Sequence, residues 1–95
     1  MQFYVYILYN NKHDKFYIGQ TYSLEKRIFE HNNKLSNYTS KYDGEWKLAY
    51  YEIQTSRADA MNKEKWLKKQ KNKNFYKKIC NIDSSVGYPP ATLRK

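Results

Sequence analysis

Five side chains in this 95-residue chain have chemistry at odds with their neighbourhoods: Tyr6, Tyr17, Arg27, His31 and Glu64. Arg27 and His31 are four residues apart, so on a helix both project from the side that carries Leu24 and Ile28. Glu64 falls between Ala60 and Leu67, on the side of its own helix that should face a core. Tyr6 and Tyr17 belong to two adjacent apolar runs whose hydroxyls could point to one place. A carboxylate, a guanidinium, an imidazole and two phenols are suitable parts for phosphodiester hydrolysis. The carboxylate can hold Mg²⁺, the guanidinium can balance phosphate charge, and a phenol or imidazole can take a proton from water.

Each residue also has an ordinary structural explanation. A strand tyrosine is more often half-buried packing, and this chain has eleven. Arg27 could pair with Glu30 or Glu25. His31 near a helix end could satisfy terminal carbonyls. Glu64 could pair with Lys68 at i+4, worth a few tenths of a kcal/mol.

The elements that must position these groups follow from periodicity. Phe3–Tyr9 is rich in β-branched and aromatic residues and reads as a strand. Its alternation puts Phe3, Val5, Ile7 and Tyr9 on one face, and Tyr4, Tyr6 and Leu8 on the other. Asn10–Asp14 is polar turn material before a second strand, Lys15–Gly19, so the two form an antiparallel hairpin. Ser23 caps a helix in which Leu24, Ile28 and Leu35 recur, with fraying near Asn32 and Asn33. Ser36–Glu45 is a polar connection, and Trp46–Ile53 reads as a third strand. Ser56 with Asp59 resembles a capping box opening a helix to about Lys69, with Ala60, Met61 and Leu67 as its buried side. Asn72–Asn81 reads as a short helix carrying Phe75, Ile79 and Tyr76. The order β-β-α-β-α-α implies an α/β (α+β) domain: a small, mainly antiparallel three-stranded sheet flanked by helices. The domain is expected over residues 1–82, with residues 83–95 a surface or mobile tail.

Composition narrows the partners. Eighteen Lys+Arg against nine Asp+Glu give a net charge of +9. Lysine enrichment can be a solubility device or codon bias, but here it is clustered. Between Lys63 and Lys78 there are eight lysines and one acid, Glu64. Such a block suits a polyanion, so nucleic acid is the expected partner. No basic helix with an apolar Leu or Trp face supports a membrane surface instead. No apolar stretch approaches the ~20 residues of a bilayer span, and the apolar start lacks the flanks of a signal peptide. The single cysteine, Cys80, cannot form an intramolecular disulfide, which favours a reducing, cytoplasmic setting.

The five residues also stand in a particular order. Tyr4-Val5-Tyr6, then Tyr17-Ile18-Gly19, then Arg27 and His31, then Glu64 after a third strand, resembles the GIY-YIG nuclease superfamily. The run Tyr17-Ile18-Gly19-Gln20-Thr21-Tyr22-Ser23-Leu24-Glu25-Lys26-Arg27, with Glu30-His31-Asn32, is similar to small stand-alone bacterial members. So are Trp46-Lys47-Leu48, Tyr50-Tyr51-Glu52, Ala60-Met61 and Glu64-Lys65. Tyr4 stands where the family's first triplet carries glycine, and Gln20 where several repair nucleases carry lysine. The resemblance implies a metal-dependent endonuclease using Mg²⁺ or Mn²⁺. Tyr6 and Tyr17 would then flank the scissile phosphate, with the second as general base or water orienter. Arg27 would contact the phosphate, His31 would assist proton handling, and Glu64 would bind the metal. An unperturbed phenol has a pKa near ~10, so a tyrosine base needs Arg27 and the metal to favour its anion. Gly19, Gln20, Lys65, Lys68, Lys69, Lys71 and Lys73 are the expected nucleic-acid contacts. A binding module that keeps the fold without turnover is the alternative.

Overall fold

The structure, a computed structural model, describes residues 2–36 and 38–82; the expected tail at 83–95 lies outside them. Three strands form one antiparallel sheet: β1 (Phe3–Asn10), β2 (Lys15–Thr21) and β3 (Trp46–Gln54), in the order β2-β1-β3. The hairpin pairs Asn10 with Lys15 and Tyr4 with Thr21. Its four-residue turn closes with Asp14 at φ 54°, a left-handed conformation that Asp tolerates better than most residues. On the other side, β1 pairs with β3 from Phe3–Gln54 to Asn10–Trp46, with a register shift between Ile7 and Leu8. β2 and β3 both extend past their expected ends, because β1 supplies ladder partners as far as Thr21 and Gln54.

As the central strand, β1 is covered on both faces. Val5, Tyr6, Ile7 and Leu8 have no solvent exposure. Burying an apolar side chain of this size contributes about 1.5–3 kcal/mol. The alternation holds: Val5 and Ile7 pack with Ile18, Ala60, Leu67 and Tyr76, while Tyr6 and Leu8 pack with Trp46, Tyr17, Leu24 and Ile28.

Three helices cover the sheet. Helix α1 (Leu24–Asn32) starts at Ser23, whose hydroxyl accepts from the Lys26 amide. It ends where the Asn33 side chain donates to the Phe29 carbonyl and Lys34 turns left-handed at φ 64°. Leu35 therefore leaves the helical row and is 66% exposed, contrary to its apolar spacing. Asn32 pins the start of β3, donating to the Trp46 carbonyl (2.9 Å) and accepting from its amide (2.8 Å). Helix α2 (Arg57–Gln70) opens with the Ser56 hydroxyl accepting from the Asp59 amide, as its capping motif predicts. Ala60 and Leu67 are buried, but Met61 is 43% exposed. One residue past Ala60 is a rotation of about 100°, enough to leave the buried stripe. Helix α3 (Lys73–Ile79) is capped by Asn72, and the Tyr76 hydroxyl donates to the Leu67 carbonyl (2.7 Å) while accepting from the Lys71 amide (3.1 Å). Tyr76 thereby holds the α2–α3 turn.

Candidate active site

Tyr6, Tyr17, Arg27 and His31 come together where α1 packs on its face of the sheet. Tyr6 on β1 and Tyr17 on β2 have ring centroids 6.2 Å apart, and Tyr17 lies 4.6 Å from the His31 ring. Gly19 makes the convergence possible. A Cβ at this position would sit 2.7 Å from the Tyr6 hydroxyl and 2.9 Å from its Cζ. The phenol therefore crosses β2 only because residue 19 has no side chain. Gly19 is buried under Tyr6 and seats the phenol. Gln20, half-buried, is its neighbour on β2.

The interior of the site is a short hydrogen-bonded chain. The Tyr6 hydroxyl is 3.0 Å from His31 Nε2, and His31 Nδ1 is 2.8 Å from the Thr39 hydroxyl. Thr39 lies in a 3₁₀ turn, Thr39–Lys41, between α1 and β3, and its carbonyl accepts from the Trp46 indole N–H (3.3 Å). Tyr6 and Thr39 are fully buried and His31 is 1% exposed. Burial pulls the His31 pKa down to about 4, helped by the nearby Arg27 cation, so the imidazole is neutral at pH 7. Burial also pushes the Tyr6 phenol up to about 12, with Tyr17 and Glu64 adding to the rise and Arg27 opposing it. Arg27 alone does not make Tyr6 an anion.

The mouth of the site is formed by Tyr17 and Arg27. Tyr17 is half-buried, its ring packed at a tilt between His31 and Tyr38. The Arg27 guanidinium lies beside the Tyr6 oxygen and is 2.6 Å from Glu30. Its pKa is raised: burial opposes the charge, but the Tyr6 and Glu30 oxygens outweigh that. The anticipated Arg27–Glu30 pair is therefore present, at i,i+3 spacing. Five N–H donors leave the fork capacity beyond those partners. His31 does not serve the helix-end carbonyls; both ring nitrogens face side chains instead.

Glu64 approaches from a different element. Lys63 reaches Glu52 on β3 (3.4 Å), which fixes one flank of α2 toward β3. Glu64 lies across the Ala60–Leu67 line from Lys63. From there its charge reaches Tyr6. Glu64 has the i+4 partner that its spacing offered. Its side chain is 20% exposed and pairs with Lys68 at 2.8 Å. Among the described residues no group of three or more His, Cys, Asp or Glu could cage a metal. A lone carboxylate fits Mg²⁺, which keeps several waters and takes one or two protein carboxylates, but not a closed zinc site.

The nominated lysines do not behave alike. Lys65, Lys69 and Lys71 are exposed and form no ion pair among the described residues. Lys68 holds Glu64, and Lys73 holds Asp14 at 3.2 Å. Thr39 carries no sequence signal: it sits in a polar connection with no periodicity, and only the fold brings it to His31. Cys80 is buried, and burial pushes its thiol up to about 12, so it is inert at neutral pH. No helix among the described residues is long and apolar enough to cross a membrane.

Comparison with known proteins bears on the family and the fold. A UPF0213 protein of Clostridium perfringens is 39% identical over 66 residues, covering 70% of each chain. The solution NMR structure of a UPF0213 protein from Bacillus halodurans shares the fold, with a TM-score of 0.50 at 22% identity. That match covers 90% of this chain and 89% of the other. The sequence model of the GIY-YIG catalytic domain matches residues 2–78, the span from the first strand to the last helix. With that match across most of its length, the chain belongs to the GIY-YIG family of nuclease domains.

Proposed function

We propose that this protein is a metal-dependent endonuclease that hydrolyses nucleic-acid phosphodiester bonds, with DNA recognised by structure rather than sequence. The observation that carries this reading is the placement of Tyr17 and Arg27 close enough to interact electrostatically, backed by the buried Tyr6–His31–Thr39 chain. A binding module would need basic surface, but not a phenol and a guanidinium seated on a fully satisfied polar interior.

The roles divide by exposure. Arg27 contacts the phosphate and balances the charge that develops on its oxygens. Tyr17 orients the attacking water, whose oxygen bonds to phosphorus as the bond to the leaving sugar oxygen breaks; the proton that the water loses passes to solvent, and the leaving oxygen takes one from solvent. Tyr6 and His31, sealed from solvent, position Arg27 and Tyr17 instead of touching substrate. Glu64 would hold Mg²⁺ or Mn²⁺, with Lys68, 54% exposed, free to swing away. When bound, such an ion supplies Lewis-acid charge against the phosphate oxygens. Lys65, Lys69 and Lys71 bind the backbone beyond the site. A cytoplasmic setting suits the buried thiol and the polyanionic partner.

The deciding experiment is incubation with labelled duplex, single-stranded and branched substrates under Mg²⁺, Mn²⁺ or EDTA. Cleavage in Mg²⁺ and none in EDTA is expected. Glu64→Gln keeps the size but loses the charge that holds a hard cation, so cleavage disappears while DNA affinity in EDTA is kept or rises slightly. Undiminished cleavage by Glu64→Gln at low Mg²⁺ would show that Glu64 is a structural partner of Lys68 only.

A further inference from the structure

The interior of the site contains one more residue with a defined task. Among the described residues, Arg27 and His31 flank the Tyr6 hydroxyl; Arg27 has only donors, so the phenolic hydrogen goes to His31 Nε2. A neutral imidazole that accepts at Nε2 carries its proton at Nδ1. The atom facing Nδ1 is the Thr39 hydroxyl oxygen at 2.8 Å, in a position with no solvent to substitute for it. Backbone contacts hold Thr39 from both sides of the turn: its carbonyl accepts from the Trp46 indole and from the Tyr42 amide (3.2 Å).

We infer that Thr39 is a positioning residue whose hydroxyl fixes His31 as its Nδ1–H tautomer and thereby turns the lone pairs of Tyr6 toward Arg27. In the opposite tautomer, Nε2–H and the Tyr6 hydroxyl would both be donors facing each other. Tyr6 would then rotate its hydrogen toward the guanidinium, and the oxygen that orients Arg27 would be lost. Thr39 thus acts on Arg27 through two intervening side chains. The link to catalysis rests on the nuclease reading; the tautomer does not.

The test uses the ¹⁵N-labelled full chain, with His13→Asn removing the other imidazole signal. Long-range ¹⁵N–¹H spectra should show a pyrrole-like Nδ1 and a pyridine-like Nε2 for His31. Thr39→Val keeps the shape without the acceptor and should give a mixture of tautomers. Thr39→Ser restores the hydroxyl and should restore the Nδ1–H form. Thermal melts identify the folded variants. Should Thr39→Val not fold, Thr39→Cys, whose sulfur accepts weakly, should show the same drift to a smaller degree. In cleavage assays Thr39→Val should lower kcat by about 10–100-fold, the size typical of outer partners of a functional histidine, with KM little changed and Ser rescuing. A wild-type Nε2–H tautomer, or a folded Thr39→Val with an unaltered tautomer, overturns the inference. If the tautomers behave as expected but wild type cleaves nothing, the nuclease reading fails while the hold of Thr39 on His31 stands.

Discussion

The two faces of the sheet are both covered but built from different material. On the α2–α3 side, Val5, Ile7 and Ile18 meet Ala60 and Leu67, with Tyr76 the one buried polar tip. On the α1 side, Tyr6 and Leu8 share the interior with His31 and Thr39, and Asn10 lies in register on the same side of β1. Among the described residues, the buried Asn10, His31 and Thr39 thus all belong to the α1 side. Burying polar groups is tolerable only when each is hydrogen-bonded, and these are. The first face supplies stability, and the second accepts polar burial in order to hold a site.

Substitutions on the two faces should therefore fail in different ways. Arg27→Ala on the α1 side is expected to lower cleavage by about 10²–10³, as for loss of one preorganised donor at a developing charge. Its melting temperature and DNA affinity should change little. Leu67→Ala on the other face should cost about 2–5 kcal/mol of stability while the folded fraction cleaves normally. Cleavage kinetics alongside thermal melts separate the two. If Arg27→Ala cleaves normally, Arg27 is a surface partner of Glu30 and nothing more.

Acid should attack the two faces in different pH windows. His31 has a folded pKa of about 4 against its ordinary 6.5. Between these values the unfolded chain binds more protons, so stability rises with pH there and falls on acidification from 6.5 to 4. The loss is on the order of 3 kcal/mol. Asp14 ties the hairpin turn to α3 through Lys73 and Lys77, and Tyr9 and Lys73 hold its carboxyl below the ordinary 3.8. Its contribution is present above that value and is lost only as pH falls further. Denaturant melts from pH 7 to 3 should show the first phase in wild type and not in His31→Gln. An unchanged slope in His31→Gln would mean that the imidazole is not sealed as the structure shows.

What was legible in the sequence follows the range of each cause. Strand alternation and helix caps are local, so Phe3–Tyr9, Ser23 and Ser56 read correctly. The order of Tyr6, Tyr17, Arg27, His31 and Glu64 pointed to one site, and the fold gathers the first four. Leu35 and Met61 misled because apolar spacing says nothing of where a helix stops or which flank turns outward. Thr39, the seat that Gly19 makes for Tyr6, and the burial of His31 depend on contacts between distant segments, which no local pattern encodes. The Glu64–Lys68 and Arg27–Glu30 pairs were visible as spacings, but sequence could not say whether they form.

The lysine block gives the smallest expected effect, and here the structure changes the forecast. Read as sequence, eight lysines between Lys63 and Lys78 would all be available to phosphates. In the fold, Lys63, Lys68, Lys73 and Lys77 are engaged by Glu52, Glu64 and Asp14, leaving Lys65, Lys69, Lys71 and Lys78. Each phosphate contact contributes about −0.9 to the log–log slope of affinity against salt on duplex DNA. Eight contacts would give a slope near −7, whereas the three unpaired lysines of α2 and its end give about −3. Between 50 and 200 mM salt that is a loss of roughly 40-fold. Binding measured in EDTA keeps a metal from releasing Lys68. Lys65→Ala should make the slope shallower by about 0.9, while Lys73→Ala should leave it unchanged and loosen only the tie to Asp14. A wild-type slope near −7 would show that DNA competes successfully for the paired lysines. A slope near zero would remove the electrostatic account.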